Sequence, residues 1–416
     1  MGPKLKLLVN KPANGEFHVS NEAITGKVVL ELEKPAPIKE LSVTMRGTSQ
    51  TIVEMTPEAQ NLIRPHFPMK SSHTLVNQKR QLFPPANVSK ALDGPGKGFQ
   101  VTKGSYSYEF ELNIPHWLKC MGDHGPRGAG FNKDEEEPRL PPSFNSIASQ
   151  APANDPISFY HKMGTVTYYV KAQLILGKSM FRLTPSDPIL EAYEVINFFP
   201  DPNKERSSAG RTQSFVSKKA VQFEKELSAR LEVRAKRLQE VHRLDHLFKS
   251  GSRRLDRVYL VFETPPPPKF ALSITRCRLQ LVEVVNYLSA GHINAVTGLI
   301  PILDVPLDRQ LDPSRIRCLE NGTAEWPLDL SNNPELASYR FNEENLIFQG
   351  NKLFSFVCCN IRRAFKFHLT LTLSANGKSF EIDMSTTTSA ISLASAEEHE
   401  PLPRYDVSDA PPVYLK

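Results

Sequence analysis

His242 and His246 stand four residues apart in HRLDH, the spacing that puts two imidazoles on one helix face, as zinc ligands require. Arg243 holds the place of the glutamate in an H-E-x-x-H site, and no third ligand is evident. A groove-facing or surface pair is the plain reading. The five cysteines, Cys120, Cys277, Cys318, Cys358 and Cys359, are odd in number, widely spread and without a C-x-x-C pair. That argues against a metal knuckle or a disulfide framework and for reduced thiols in the cytosol. Cys358 and Cys359 are neighbours in an apolar stretch; as strand residues they would point to opposite faces, with at least one in the core. No phosphate-binding G-x-x-x-x-G-K-S/T run, no G-x-G-x-x-G after a strand and no G-x-S-x-G elbow occurs. The expectation is no enzyme, no cofactor and no metal site.

What remains is binding chemistry, and it gathers in two places. The chain finishes APPVYLK. Pro411 and Pro412 fix φ near the polyproline II value, which preforms an extended ligand for an aromatic-lined groove. Val413 keeps the spacing, and Tyr414 adds a ring and a hydroxyl on the same ridge. Upstream, Leu402, Pro403 and Tyr405 form an L-P-x-Y variant in PLPRY. The plain alternative for both is a frayed polar terminus. The second place is residues 214–254, where eleven Lys and Arg, among them Arg230, Arg234, Lys236, Arg237 and Arg243, face five acids. Their excess equals the net charge of the whole chain, +6.

The elements that must carry these residues are mostly strands. Proline, at 34, outnumbers glycine, at 21, as suits loops and edge strands rather than long packed helices. A chain of 416 residues has room for two or three cores, and no apolar run approaches the ~20 residues of a membrane span. The start, MGPKLKLLVN, is too short in its apolar part for a signal-peptide core. ITGKVVLELE (24–33) alternates Val28, Leu30 and Leu32 on one face, and ELSVTMRGTSQTIVE (40–54) does so with Leu41, Val43 and Met45 before a break at Gly47. SYSYEFELNIP (105–115), GTVTYYVKAQLIL (164–176) and YEVINFFP (193–200) complete a first β-rich half. RVYLVFE (257–263), the run through 265–288, FKFHLTLTL with Phe365, Phe367, Leu369, Leu371 and Leu373 in phase, and KSFEIDM (378–384) make a second. Residues 56–98 and 119–157 read as polar loops. Residues 214–254 place Ala220, Phe223, Leu227, Leu231, Leu238, Val241, Leu244 and Phe248 at three- and four-residue steps, which predicts an amphipathic helix capped by Ser217 and ended at Gly251. Such a helix either lays its cations on anionic lipid or packs its apolar stripe on the second half. STTTSAISLAS (385–395) reads as a hydroxyl-rich spacer that phosphorylation could charge.

With those residues in place, the chain resembles an arrestin-fold protein of the α-arrestin (arrestin-related trafficking adaptor) family. The match is carried by ITGKVVLELEKPAPIKELSVTMRG, YSYEFELNIP and GTVTYYVKAQLIL in the first half, and by KFALSITRCRLQLV and CNIRRAFKFHLTLTL in the second. It spans most of residues 5–384. The resemblance implies an all-β fold of two tandem arrestin-type antiparallel β-sandwich domains, 1–203 and 255–384. Between them would lie the basic amphipathic helix or linker of 204–254, and after them a disordered tail, 385–416. It further implies that the PPxY residues Pro411, Pro412 and Tyr414, with Leu402, Pro403 and Tyr405, recruit WW domains of HECT-type ubiquitin ligases. Membrane transporters or receptors would be the cargo, at the plasma membrane and endosomes, with no nucleic acid. The buried charge cluster by which receptor-binding arrestins sense phosphate has no match, so phospho-receptor recognition is not carried over. A vesicle-sorting scaffold without ligase recruitment is the alternative.

Overall fold

Apolar residues recurring at every second position pair into sheets in both halves of the chain. The computed structural model describes residues 2–13, 15–53, 68–85, 98–118, 120, 130–131, 139–146, 163–177, 188–200, 212–236, 242–243, 257–328, 330, 347–348, 351–385 and 391–392. In the first half these are β1 (Lys4–Val9), β2 (Ala23–Leu32), β3 (Ala36–Val53), β4 (Met69–Phe83), β5 (Phe99–Val101), β6 (Gly104–Asn113), β7 (Phe144–Asn145), β8 (Gly164–Leu176) and β9 (Ile189–Ile196). A three-stranded sheet, β1-β2-β6, faces a six-stranded one ordered β4-β3-β8-β7, with β5 on β3 and β9 on β8. Val28, Leu30 and Leu32 from one layer meet Leu41, Val43, Met45, Val166, Tyr168 and Val170 from the other, all buried.

Gly26 shows why the inner layer closes. A Cβ there would lie 2.3 Å from the Leu8 carbonyl oxygen and 2.7 Å from the Phe110 ring, so only glycine lets β1 and β6 approach β2 this closely. At Gly47, β3 does not end. It continues to Val53, and the expected break is a register shift against β4 between Gly47 and Thr48. β4 itself falls inside the predicted loop 56–98. It is an edge strand carrying Lys70, Lys79 and Arg80, and an edge needs only one apolar face, so its polarity hid it.

The second half contains β10 (Thr212–Val216), β11 (Val221–Glu224), β12 (Leu227–Lys236), β13 (His242–Arg243), β14 (Val258–Phe262), β15 (Leu272–Ser289), β16 (His292–Gln310), β17 (Arg317–Cys318) and β18 (Ala324–Pro327). β19 (Ile347–Phe348), β20 (Asn351–Lys352), β21 (Phe356–Val357), β22 (Ile361–Ala375), β23 (Lys378–Ser385) and β24 (Ile391–Ser392) follow. One sheet runs β10-β12-β14-β18-β17 with β11 on β12, and the other β16-β15-β22-β21 with β23 on β22. Their shared core holds Leu260, Phe262, Trp326 and the whole face predicted in FKFHLTLTL, Phe365, Phe367, Leu369, Leu371 and Leu373. β22 turns into β23 through Asn376 and Gly377 at φ +50° and +75°, the left-handed pair of a two-residue hairpin.

The amphipathic helix expected over 214–254 is overturned across 214–236, and of the rest only residues 242–243 are among the described residues. Among the described residues there is no α-helix, and 212–236 are three antiparallel strands joined to β14. Leu227, Ala229, Leu231 and Val233 point inward, while Arg230 is exposed. A four-residue step is common to both periods: 227 and 231 share a face in a helix and also in a strand. Ala229, too small to score as an apolar anchor, concealed the alternation. Ser217 caps no helix; it is buried, its Oγ accepting from Leu231 N at 3.1 Å and donating to Lys219 O at 3.0 Å. A short parallel pair, β13 with β24, brings part of the expected spacer against residues 242–243.

Candidate functional site

Most buried polar chemistry that joins distant parts of the chain lies in the seam between the two cores. β15 is 18 residues long, roughly 60 Å at strand rise, and outreaches its own core. Its last residues, with the start of β22 and the turn before it, enter the first core: Val285, Tyr287, Phe354, Phe356, Cys358, Cys359 and Ile361 pack there. Phe144 meets Phe356 edge-on at 5.4 Å, and Phe199 meets Phe354 at 5.0 Å.

Polar groups then fasten the two halves. The Tyr287 hydroxyl donates to Ser146 Oγ at 2.6 Å, and burial pushes that phenol up to about 12, opposed by the Ser146 bond. Asn360 is buried in the turn; its Oδ1 accepts from Ser49 Oγ, while its Nδ2 donates to Thr51 Oγ1 at 3.2 Å. Thr51 Oγ1 donates in turn to the Leu288 carbonyl at 2.7 Å. Arg363 is 1% exposed and donates from Nε to Glu283 Oε1 at 2.6 Å. Its guanidinium also lies 5.3 Å from the Phe144 ring and 5.0 Å from the Phe365 ring. Burial lowers the Arg363 pKa from its ordinary value, and Glu283 acts against that shift. Such a buried network favours one arrangement of the two halves, because each misplaced member would strand a polar group.

Cys358 and Cys359 are not strand residues. They occupy the turn between β21 and β22, closed by Cys358 N donating to Ile361 O at 2.9 Å, and both are buried. None of the five cysteines is in a disulfide. Cys359 nevertheless stands with His73 of β4 and Cys120, the ligand atoms all within 4.8 Å of one another. Cys120 Sγ lies 3.7 Å from His73 Nδ1. Sequence spacing could not reveal this cluster, since its members come from three distant segments. The retrospective signal is the Cys-Cys-Asn interruption of the alternation between Val357 and Ile361.

The residues singled out from sequence fall elsewhere. Leu402, Pro403, Tyr405, Pro411, Pro412 and Tyr414 lie outside the described residues, as do Arg237 and His246. Lys236 ends β12, and Arg243 sits in β13 opposite Ser392. Arg230 is exposed on β12. Arg234 is a structural residue: its Nε pairs with Glu232 at 2.7 Å, its Nη2 with Glu325 at 2.7 Å, and it stacks 4.2 Å from the Tyr259 ring. Burial works against its charge, but the hydrogen bonds to Glu232 and Glu325 outweigh that and raise its pKa. Arg234→Ala is expected to cost about 2 kcal/mol, because Glu325, buried, loses its cation. Arg230→Ala should stay within about 0.5 kcal/mol, and urea unfolding of the two variants separates the cases. Charge reversal at Arg234 would therefore report on packing rather than on lipid binding.

Comparison with known proteins places both halves. Residues 9–125 match the Arrestin (or S-antigen), N-terminal domain, and residues 209–396 match the Arrestin-related trafficking adapter 10 C-terminal domain, a span that takes in the strands β10–β12. Arrestin-related trafficking adapter 10 of Lachancea thermotolerans is 32% identical, over 98% of this chain and 100% of its own length. The protein of that name from Eremothecium gossypii is 32% identical over 89% of this chain and 90% of its own. That of Saccharomyces cerevisiae S288c is 29% identical over 100% and 99%. Sequence identity of this extent, running nearly end to end across both halves of the seam, shows that the chain belongs to the Arrestin-related trafficking adapter 10 family of α-arrestins, which are adaptors and not enzymes.

Proposed function

We propose that this chain couples a HECT-type ubiquitin ligase to membrane transporters or receptors, promoting their ubiquitination, endocytosis and sorting. The two sheet pairs are read as tandem arrestin-type sandwiches that form the cargo platform, and the C-terminal segment as the ligase ligand. The observation that carries this reading is the Pro-Pro-Val-Tyr of 411–414 at the end of a chain whose relatives are named as trafficking adapters. In a WW groove, Pro411 and Pro412 lie across the paired aromatics and Tyr414 enters the neighbouring pocket. Tyr405 and Tyr414 are roughly 28 Å apart when extended at polyproline rise. That span lets two WW modules bind together, and effective concentration multiplies two weak contacts.

Cargo recruitment holds the protein at the plasma membrane and endosomes from the cytoplasmic side. Among the described residues no helix is long and apolar enough to cross a membrane.

The test is a pull-down of the intact chain by WW domains of HECT-type ligases. Tyr414→Ala is expected to weaken capture at least about tenfold, and Tyr405→Ala with Tyr414→Ala to abolish it. Unchanged capture by the double variant would sink ligase recruitment and leave the sorting-scaffold reading. A thermal melt of variant and parent, expected to coincide, checks that the loss of capture is not a loss of folding.

A further inference from the structure

In the cluster of His73, Cys120 and Cys359 the first and last are buried and Cys120 is half-buried, and the donor set is one nitrogen and two sulfurs. Soft thiolates with an imidazole select Zn2+ among the common divalent cations. A tetrahedral zinc with Zn–S about 2.3 Å and Zn–N about 2.0–2.1 Å needs ligand atoms about 3.5–3.8 Å apart. The Cys120 Sγ to His73 Nδ1 separation is already 3.7 Å, and no pair in the cluster exceeds 4.8 Å.

The surroundings suit a ligand set too. His73 Nε2 is 2.7 Å from Ser71 Oγ. With that nitrogen donating to the hydroxyl, the lone pair sits on Nδ1, the atom that faces Cys120. His73 is 3% exposed and Cys359 is fully buried, so bulk water does not compete for their donor atoms.

We propose that His73, Cys120 and Cys359 bind one Zn2+, with a fourth position left for water, and that the ion clamps the first core to the Cys358–Asn360 turn of the second. Both thiols lose their protons on binding, so affinity falls as pH falls. This goes beyond ligase recruitment and does not depend on it, since none of the three residues lies in the C-terminal segment.

The intact chain, reduced and stripped of metal, is titrated with Zn2+ against a chromophoric chelator, and with Co2+ while thiolate-to-cobalt absorption is followed. One equivalent of zinc and a thiolate–cobalt band are expected. Ser71→Ala should weaken zinc about 10- to 100-fold through loss of ring orientation. Cys359→Ser and Cys120→Ser should lose the band, and Cys318→Ser, an exposed control, should keep it. A parent chain with no thiolate band overturns the site without any variant having to fold. So does a band that survives Cys359→Ser. A reduced parent chain that takes up no zinc, yet joins Cys120 to Cys359 on oxidation, would identify a redox pair instead and would equally overturn the proposal.

Discussion

Arg363→Ala is expected to destabilise the protein by roughly 3–5 kcal/mol, the loss found when one partner of a buried ion pair is removed. Glu283 is 7% exposed, and without the guanidinium its carboxylate remains in the seam with no cation at 2.6 Å. The stacking of Arg363 between Phe144 and Phe365 goes as well, and with it a contact that crosses from one core to the other. Differential scanning calorimetry should show a fall of about 6 to 20 °C in the melting temperature of that half. A change below about 1 kcal/mol in urea unfolding would mean that water reaches Glu283 and that the pair is not structural. Replacing both residues together, as Arg363→Met with Glu283→Leu, should recover most of the loss, since no charge is then stranded. Recovery in the paired variant separates the cost of an orphaned charge from the value of the pair itself.

Gly164→Val is expected to force the seam open. A Cβ at this position would stand 2.6 and 2.7 Å from two Tyr287 ring carbons and 3.1 Å from Ile361 Cδ1. Real Cβ atoms do not approach so closely, so either the ring or the β8 backbone must move, at about 1–3 kcal/mol or more. Moving the ring also breaks the Tyr287 bond to Ser146, whose own N–H donates to the Gly164 carbonyl at 2.9 Å. Tyr287→Ala removes the atoms that clash, so the double variant should lose less than the two singles combined, with a coupling of about 0.5–3 kcal/mol. Strict additivity in that cycle would show that the two residues do not meet in solution.

The strands were legible where one face is buried and the other is wet. Val166, Tyr168 and Val170, and the row from Phe365 to Leu373, needed only their period of two, and each is buried as that period requires. Arg363 is in phase with Phe365, so the same row, extended back by one step, would have placed a guanidinium inward. β4 was missed because, apart from Met69, Leu75, Val76, Leu82 and Phe83, this edge strand is polar and shows no apolar alternation. The helix predicted over 214–254 failed across 214–236 because Phe223, Leu227 and Leu231 repeat at four, a multiple of two. What decides between the two periods is the partner strand: β12 pairs with β14 from Ala229 to Val233.

By itself the sequence determined what is local. Proline sets its own φ, so the expectation of a polyproline-type ligand at Pro411, Pro412 and Tyr414 rests on seven consecutive letters alone. Alternation likewise settles which residues of β2, β3, β8 and β22 face inward. Only the tertiary structure could decide what is non-local. His73, Cys120 and Cys359 become neighbours because β4 is paired into the first sheets while the turn before β22 is pushed into the same core from the second. No spacing along the chain encodes that meeting; it follows from burying two apolar surfaces against each other, and the polar side chains of the seam are carried together with them.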